Sequence, residues 1–172
     1  MEFSRATVEE IGAVEELVVQ CREVLTASGI LQWDAEYPSR LFFQQAVAAG
    51  HLFVLTDEGV ILGVVVLDEW QAAEWTTVTW HNQSGQFLVV HSLAVLPSAQ
   101  GRGYGAALLS RCESFAQENG YTSMRLDAFS GNAAALRFYE RHGYNFRGAI
   151  DLTFKPTGHR QYYCYEKVMK RS

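Results

Sequence analysis

The sequence predicts a single domain of the α/β (α+β) class spanning residues 1–172, with a mixed, mostly antiparallel sheet of six to seven strands and about four helices. Stretches with an apolar residue every three or four positions, typical of amphipathic helices, alternate with short β-branched runs, typical of strands. No repeat, low-complexity tract or linker interrupts the chain. One domain is therefore the simplest interpretation.

The first predicted elements are a short strand and a helix. Thr7 is suited to be the N-cap residue of this helix, and Glu10, three positions later, completes a capping box. One apolar face is formed by Val14, Leu17, Val18, Cys21 and Leu25. A second helix is predicted from Ser39 to Ala49, and Gly50 ends it because glycine readily adopts the left-handed conformation of a helix C-terminus.

The next segment predicts a β-hairpin. Two β-branched runs flank Asp57-Glu58-Gly59, where the glycine permits the positive φ of a tight turn, so the two strands are expected to be antiparallel. Residues 71–85 carry two tryptophans and several threonines, and we interpret them as an extension of the second strand followed by a loop. A further strand is expected in QFLVVHSLAVLP, residues 86–97.

The last third of the chain predicts two more helices and three strands. A helix is expected from about Tyr104 to Asn119, followed by a strand in SMRLDAF. Another helix is expected from about Asn132 to His142. The final strands are predicted in YNFRGAIDL and QYYCYEKVM.

The composition limits the classes of function. With 48% hydrophobic and 19% charged residues, the chain has enough apolar surface to form an ordered globule. A net charge of −5 disfavours nonspecific binding to nucleic acid, which relies on basic patches. Because no signal peptide and no apolar run of roughly 18 residues is present, a cytoplasmic protein without a membrane partner is expected. Three widely spaced cysteines without a CxxC pair indicate buried thiols, and no metal is expected.

A glycine-rich loop, PSAQGRGYG at residues 97–105, precedes the third predicted helix. Such loops bring backbone N–H groups and the positive end of a helix dipole to one point, where phosphate binds. A P-loop is excluded because no Gly-Lys-Ser/Thr follows. Gly101, Gly103 and Ala106 match the dinucleotide fingerprint G-x-G-x-x-A, but an antiparallel hairpin precedes them and too few residues follow for a doubly wound sheet. Dinucleotide binding and a tight turn without ligand remain alternatives.

Two motifs together resemble a known family. The glycine loop fits the pattern Q/R-x-x-G-x-G/A at Gln100, Gly103 and Gly105. The segment LDAFSGNAAALRFYERHGYNFRG fits N-x-x-A-x-x-F/Y-Y at Asn132 and Phe138-Tyr139. In this order, separated by a helix and a strand, they resemble the GNAT superfamily of acyl-CoA-dependent N-acyltransferases.

The resemblance is specific for residues 86–148 and implies helices on both faces of the sheet, with the fourth and fifth strands splayed to admit CoA. Acetyl-CoA is the implied cosubstrate, its pyrophosphate held by the loop amides and its pantetheine arm paired with the strand before the loop, as a peptide adds to a sheet edge. The implied contact residues are Leu93, Ala94, Val95, Gln100, Gly101, Arg102, Gly103, Tyr104, Gly105, Ala106, Asn132 and Phe138.

The implied reaction is direct attack of a primary amine on the thioester. A backbone N–H near Leu93 or Ala94 would stabilise the oxyanion. Tyr139, a phenol whose unperturbed pKa is about 10, would protonate the CoA thiolate. His91 is the candidate base, since imidazole titrates near neutral pH. Packing roles remain alternatives for Tyr139 and His91, and the competing bases are Asp68, Glu69 and Glu74.

The acceptor-lining segments that the resemblance implies are GILQWDAEYPSR and EWQAAEWTTVTWHN, both rich in tryptophan and acidic residues. We expect substrate contacts from Trp33, Tyr37, Glu69 and Trp75, a lining that suits a cationic amine on a small molecule or a peptide. Packing against the core is the alternative role for the tryptophans. The alternative function is a noncatalytic acyl-CoA-binding or regulatory module, and a homodimer is a possible assembly.

Overall fold

A computed structural model describes residues 1–170, within which the chain forms seven strands and four α-helices. The strands are β1 (Glu2–Arg5), β2 (Leu52–Asp57), β3 (Val60–Asp68), β4 (Phe87–Val95), β5 (Ser123–Phe129), β6 (Asn145–Asp151) and β7 (Gln161–Val168). The helices are α1 (Ile11–Ala27), α2 (Arg40–Ala49), α3 (Tyr104–Glu118) and α4 (Ala133–Arg141), with short 3₁₀ turns at Val8–Glu10, Ala73–Thr77 and Pro97–Ala99.

The strand order is β1-β2-β3-β4-β5-β7-β6, which confirms the predicted α/β class with a mixed, mostly antiparallel sheet. β1 and β2, β2 and β3, β5 and β7, and β6 and β7 pair antiparallel. The parallel pair is β4 with β5, where Phe87–Val89 lie opposite Ser123–Arg125.

The helix ends follow the local chemistry of the sequence. The backbone N–H of Thr7 donates to the carboxylate of Glu10 at 3.0 Å, as expected of a capping box, although the first turn is 3₁₀ and α1 begins at Ile11. Ser39 is the N-cap of α2, because its Oγ accepts from the N–H of Phe42 at 3.1 Å. Gly50 ends α2 in the predicted left-handed conformation.

The hairpin between β2 and β3 is confirmed, and one neighbouring prediction is wrong. Glu58 and Gly59 both have positive φ, 49° and 78°, as a two-residue type I′ turn requires. The predicted strand extension after β3 is absent: β3 ends at Asp68, and Ala73–Thr77 forms a 3₁₀ turn instead. The hydroxyls of Thr76 and Thr77 donate back to backbone carbonyls three residues earlier, at 2.8 and 2.9 Å, which favours a local turn over a ladder.

The chain divides into two compact units, each built from two stretches of sequence. The first unit consists of Met1–Asp68 and Val90–Cys112, and the second of Glu69–Val89 with the chain from Glu113 onward. In the first unit, α1 and α2 bury apolar side chains against the strands; the core includes Val14, Leu17, Phe43, Val54, Val64 and Ala94. This burial is the main favourable contribution to its stability.

The second unit contains a buried ion pair. The guanidinium of Arg125 in β5 donates to the carboxylate of Glu166 in β7 at 3.3 Å and lies over the rings of Trp80 and Phe87, at 4.4 and 3.7 Å from their centroids. Burial lowers the pKa of Arg125, and Glu166 opposes that shift. Arg125 also donates to the carbonyl of Asn82, so the ion pair fixes the loop before β4.

Cys21, Cys112 and Cys164 are all buried, and none of them forms a disulfide. The thiol of Cys21 in α1 donates to the carbonyl of Val95 at 3.2 Å. Across residues 1–170, no helix combines the length and apolar character needed to cross a bilayer.

Candidate active site

The glycine loop of the first unit depends on two left-handed residues. Gly101 and Gly103 have φ values of 76° and 86°, a region that side chains with a Cβ rarely adopt. A Cβ added at either position would meet no heavy atom within 4 Å. The loop therefore needs glycine for its backbone path, and the space beside both residues is open to a ligand.

Helix α3 begins directly after this loop. The N–H of Ala107 donates to the carbonyl of Gly103 at 3.0 Å, which makes Gly103 the residue that opens the helix. In the first turn of a helix the N–H groups find no carbonyl within the helix, and the helix dipole places partial positive charge there. Tyr104, Gly105 and Ala106 occupy this turn, so the loop has the geometry of an anion-binding site.

Three predicted contact residues of the loop make side-chain contacts within the protein. The amide of Gln100 donates to the carbonyl of Val95 at 3.0 Å and so ties the loop to the end of β4. The hydroxyl of Tyr104 donates to Asp57 at 3.1 Å, and this bond raises the pKa of Tyr104. The guanidinium of Arg102 lies 5.5 Å from the centroid of the Tyr104 ring. These contacts hold the loop in shape, and its backbone remains the part suited to a ligand.

Successive residues at the end of β4, the strand before the loop, direct their backbone N–H and C=O groups to opposite edges of the strand. The N–H of Leu96 donates to the carbonyl of Leu62 in the segment that forms β3, at 2.8 Å. Because the backbone groups of successive residues in a strand point to alternating edges, Ala94 also faces β3. Leu93 and Val95 therefore direct their N–H and C=O groups to the opposite edge of β4.

Ser92 interrupts the regular conformation of β4. Its φ is 53°, in the left-handed region that a residue other than glycine adopts at a cost. Its hydroxyl lies 3.2 Å from the hydroxyl of Tyr37. The strain falls between His91 and Leu93, two residues that the sequence assigned to catalysis and to CoA, and no pattern in the sequence signalled it.

His91 and Asp68 form a close pair in the first unit. Nε2 of His91 lies 2.8 Å from Oδ1 of Asp68, and the side chains are only 15% and 18% exposed. The predicted base is thus in direct contact with one of its predicted competitors. Sequence reasoning named both residues but not their contact.

Of the acceptor residues predicted in the first unit, Tyr37 and Trp33 have different surroundings. The segment around them is folded on itself, since the carboxylate of Asp34 accepts from the N–H groups of Glu36 and Tyr37 at 2.8 and 2.9 Å. The ring of Tyr37 packs against Phe42, with centroids 5.1 Å apart. Trp33 is partly buried against the core of the first unit.

Tyr139 lies in the second unit, on α4. Asn132 opens this helix by accepting from the N–H of Ala135 at 3.2 Å, so its side chain is used in capping. The Tyr139 side chain is largely buried, with 9% of the residue exposed. Its ring lies between 5.3 and 6.5 Å, centroid to centroid, from Phe138, Tyr144 and Tyr165. The phenol is therefore held by an aromatic cluster.

The remaining predicted residues of the second unit, Glu69 and Trp75, have partners of their own. Glu69 is exposed and accepts from the hydroxyl of Tyr121 at 2.8 Å. Trp75 is only 3% exposed and donates its indole N–H to Asp127 at 2.9 Å. Contact with an acceptor stays a prediction for both. Among residues 1–170, no group of three His, Cys, Asp or Glu side chains is arranged to hold a metal ion.

The chain is similar to acetyltransferases over most of its length. A model of the acetyltransferase (GNAT) family matches residues 18–144. YesJ of Bacillus subtilis (strain 168), described as an uncharacterized N-acetyltransferase, is 29% identical over 150 residues, which is 84% of this chain and 81% of that protein.

Solved structures share the fold at lower identity. A GNAT-family acetyltransferase from Streptococcus agalactiae 2603 has a TM-score of 0.86 at 18% identity, covering 99% of this chain and 96% of the other. The ribosomal-protein-S18-alanine N-acetyltransferase of Escherichia coli has a TM-score of 0.72 at 17% identity, covering 99% of this chain and 95% of the other. At these identities the likeness shows the fold alone.

Proposed function

Because this chain belongs to the GNAT acetyltransferase family, we propose that it transfers an acetyl group from acetyl-CoA to a primary amine by direct attack. The main support for the proposal is the geometry of the glycine loop that precedes α3. Left-handed Gly101 and Gly103 stand beside open space, and the first turn of the helix follows at once. This arrangement suits the pyrophosphate of acetyl-CoA.

The proposed roles of β4 follow from its backbone. Leu93 directs its N–H to the edge opposite β3, which supports Leu93 rather than Ala94 as the donor to the oxyanion. The same edge would pair with the pantetheine arm. The carbonyl of Val95 already accepts from Gln100 and Cys21, so we assign the pairing to the C=O of Leu93 and the N–H of Val95, which lie on that same edge.

The proposed chemistry moves two protons. The ammonium of the acceptor gives one proton to His91 and becomes a nucleophilic amine. Its nitrogen forms a bond to the thioester carbonyl carbon, the C–S bond breaks, and the thiolate takes a proton from Tyr139. The second proton of the amine nitrogen restores the Tyr139 hydroxyl through solvent, and His91 releases its proton to water. Each general acid or base typically contributes about 10²- to 10⁴-fold.

The proposed acceptor is a cationic primary amine. Tyr37 and the Asp68–His91 pair supply an aromatic face and a carboxylate in the first unit, and such groups attract ammonium. The Escherichia coli neighbour is named for acetylating an alanine of a ribosomal protein, which places peptide amines beside small-molecule amines among the acceptors to test. The cytoplasmic location, the homodimer and the independence from metal stay predictions.

The phosphate-loop assignment is tested with a matched pair of glycine variants. Gly103→Ala and Gly29→Ala both place a Cβ in open space at a left-handed residue, with φ of 86° and 78°. Both should lose about 1–2 kcal/mol of stability, the cost of that conformation for a residue with a Cβ. Only Gly103→Ala should also lose acetyl-CoA affinity, by at least tenfold in calorimetry. Equal affinity in the two folded variants would contradict the assignment.

Catalysis is tested separately from binding. Free-thiol release from acetyl-CoA is followed with a panel of small amines, peptides with free N-termini and lysine peptides. We expect release that depends on one acceptor class. Saturable acetyl-CoA binding with no transfer to any member would instead favour the noncatalytic acyl-CoA-binding module. A thermal-shift measurement also tests acetyl-CoA binding, since a ligand at 100 times its Kd raises the free energy of unfolding by about 2.7 kcal/mol.

A further inference from the structure

The contact between Asp68 and His91 defines which ring nitrogen of the histidine carries a proton. Asp68 is the last residue of β3 and His91 lies in the neighbouring β4, so both side chains are held by paired strands. Oδ1 and Nε2 are 2.8 Å apart. An ionised carboxylate can only accept, and therefore Nε2 donates to it. In the neutral ring, the lone pair that can take a proton is then on Nδ1.

We propose that Asp68 is a positioning residue that holds His91 as the Nε2–H tautomer, so that Nδ1 is the atom that takes the proton from the acceptor ammonium. This inference rests on the proposed acetyl transfer. It changes the role of Asp68 from competing base to partner of the base. It also names the nitrogen that the ammonium must approach.

The pair has the chemistry that this role requires. When Nδ1 takes the proton, the ring becomes a cation with an N–H at both nitrogens. Nε2–H keeps its bond to the Asp68 carboxylate, which compensates the new positive charge at short range. The two side chains are mostly buried, so water screens their attraction less than at the surface. No proton reaches Asp68 in this scheme.

The strained backbone next to His91 supports the assignment of this histidine as the base. Ser92, directly after His91, is held at a φ of 53° and contacts the hydroxyl of Tyr37 at 3.2 Å. Strained residues persist where the surrounding structure holds them, and they concentrate at functional sites. His91 is therefore constrained at its ring by Asp68 and next to its backbone by Ser92.

The kinetic test is a double-mutant cycle on kcat with the amine found in the panel. His91→Gln should lower kcat by about 10²- to 10⁴-fold, and Asp68→Ala by about ten- to a hundredfold. If Asp68 acts through His91, the double variant should be no more than about threefold slower than His91→Gln. Additive losses would overturn the proposal, as would a larger loss in Asp68→Ala than in His91→Gln, which would make Asp68 the base.

The controls separate positioning from folding. Asp68→Asn keeps the size and polarity of the side chain and replaces the alanine variant if that variant unfolds. The Asn amide can donate to Nε2, and the ring proton then moves to Nδ1. Because Nδ1 can no longer take a proton, kcat should fall in this variant as well. Glu58→Gln removes one negative charge from the turn between β2 and β3 and should leave kcat unchanged. The KM for acetyl-CoA should stay within about twofold in all variants. An Asp68→Asn variant with normal kcat would contradict the proposal.

A spectroscopic readout tests the contact without any turnover. Proton NMR should show the Hε2 resonance of His91 in slow exchange with water, identified by its loss in His91→Gln. Asp68→Ala should abolish it. An unchanged resonance in Asp68→Ala would overturn the positioning role. If the wild-type protein binds acetyl-CoA, shows this resonance and acetylates no amine, then the proposed function fails while the structural contact stands, so the two failures are distinguishable.

Discussion

Tyr139 can serve as a proton donor, as a packing residue, or as both, and removing its hydroxyl separates these roles. Tyr139→Phe keeps the ring in the cluster with Tyr144 and Tyr165. We expect kcat to fall by about 10²- to 10⁴-fold while acetyl-CoA affinity and Tm stay close to wild type. Tyr144→Phe, which removes a hydroxyl that donates to Glu113, is the control and should retain kcat. A loss of less than about threefold in Tyr139→Phe would mean that another group protonates the thiolate.

Two tryptophans that the sequence assigned to the acceptor are distinguished by their contacts. Trp75 is buried and its N–H bonds to a carboxylate, an interaction worth about 1.5–3 kcal/mol. Trp75→Phe should therefore lower the free energy of unfolding by that amount, and a raised KM of the amine in this variant would support the predicted contact of Trp75 with the acceptor. Trp33→Ala should raise the KM of the amine at a constant KM for acetyl-CoA. Urea denaturation and steady-state kinetics on both variants check this; equal effects on both KM values in Trp33→Ala would indicate packing alone.

Helix α3, whose first turn has the geometry of an anion-binding site, packs closely against a glycine of the sheet. A Cβ at Gly63 in β3 would lie 3.1 Å from Leu108 of α3, which is fully buried. Gly63→Ala should therefore cost about 1–3 kcal/mol through overpacking and weaken acetyl-CoA binding, because α3 must shift. Gly12→Ala is the comparison: Gly12 lies in α1 with open space at its Cβ, so the variant should gain about 0.5–1 kcal/mol. Stabilisation by Gly63→Ala would contradict this account.

The stability of the whole molecule should fall at alkaline pH because of its buried thiols. Burial raises the pKa of Cys21 to about 11 and that of Cys164 to about 12, from an ordinary 9.0. Between pH 9 and 11 the unfolded chain releases these protons and the folded chain keeps them. Each thiol should then reduce the free energy of unfolding by up to about 1.4 kcal/mol per pH unit, with little effect below about pH 8.

Urea denaturation at pH 8.5 and 10.5 measures this slope. In the Cys21→Ala/Cys164→Ala variant, the decline between the two pH values should be smaller by about 2.7 kcal/mol per unit within the titration window. Tyr165 remains in that variant and contributes to the residual slope, since burial also raises its pKa. An identical slope in the two proteins would show that the thiols ionise equally in the folded and unfolded chains.

By itself the sequence determined the local structure and the family. The caps at Thr7 and Ser39, the Glu58-Gly59 turn and the glycine loop depend on residues within a few positions of one another, so their chemistry can be read from short stretches. The helices and strands follow from apolar periodicity for the same reason. The segment after β3 was predicted incorrectly because the threonine hydroxyls compete with strand pairing there.

The tertiary structure decided which side chains meet. The Asp68–His91, Arg125–Glu166 and Trp75–Asp127 pairs join residues 23, 41 and 52 positions apart. It also decided that Ser92 is left-handed and that Trp75 is buried. Such contacts arise from strand register and from packing over long chain distances, which no local pattern records. The charge, tautomer and exposure of a site residue depend on those partners, so the chemistry of this site required the folded chain.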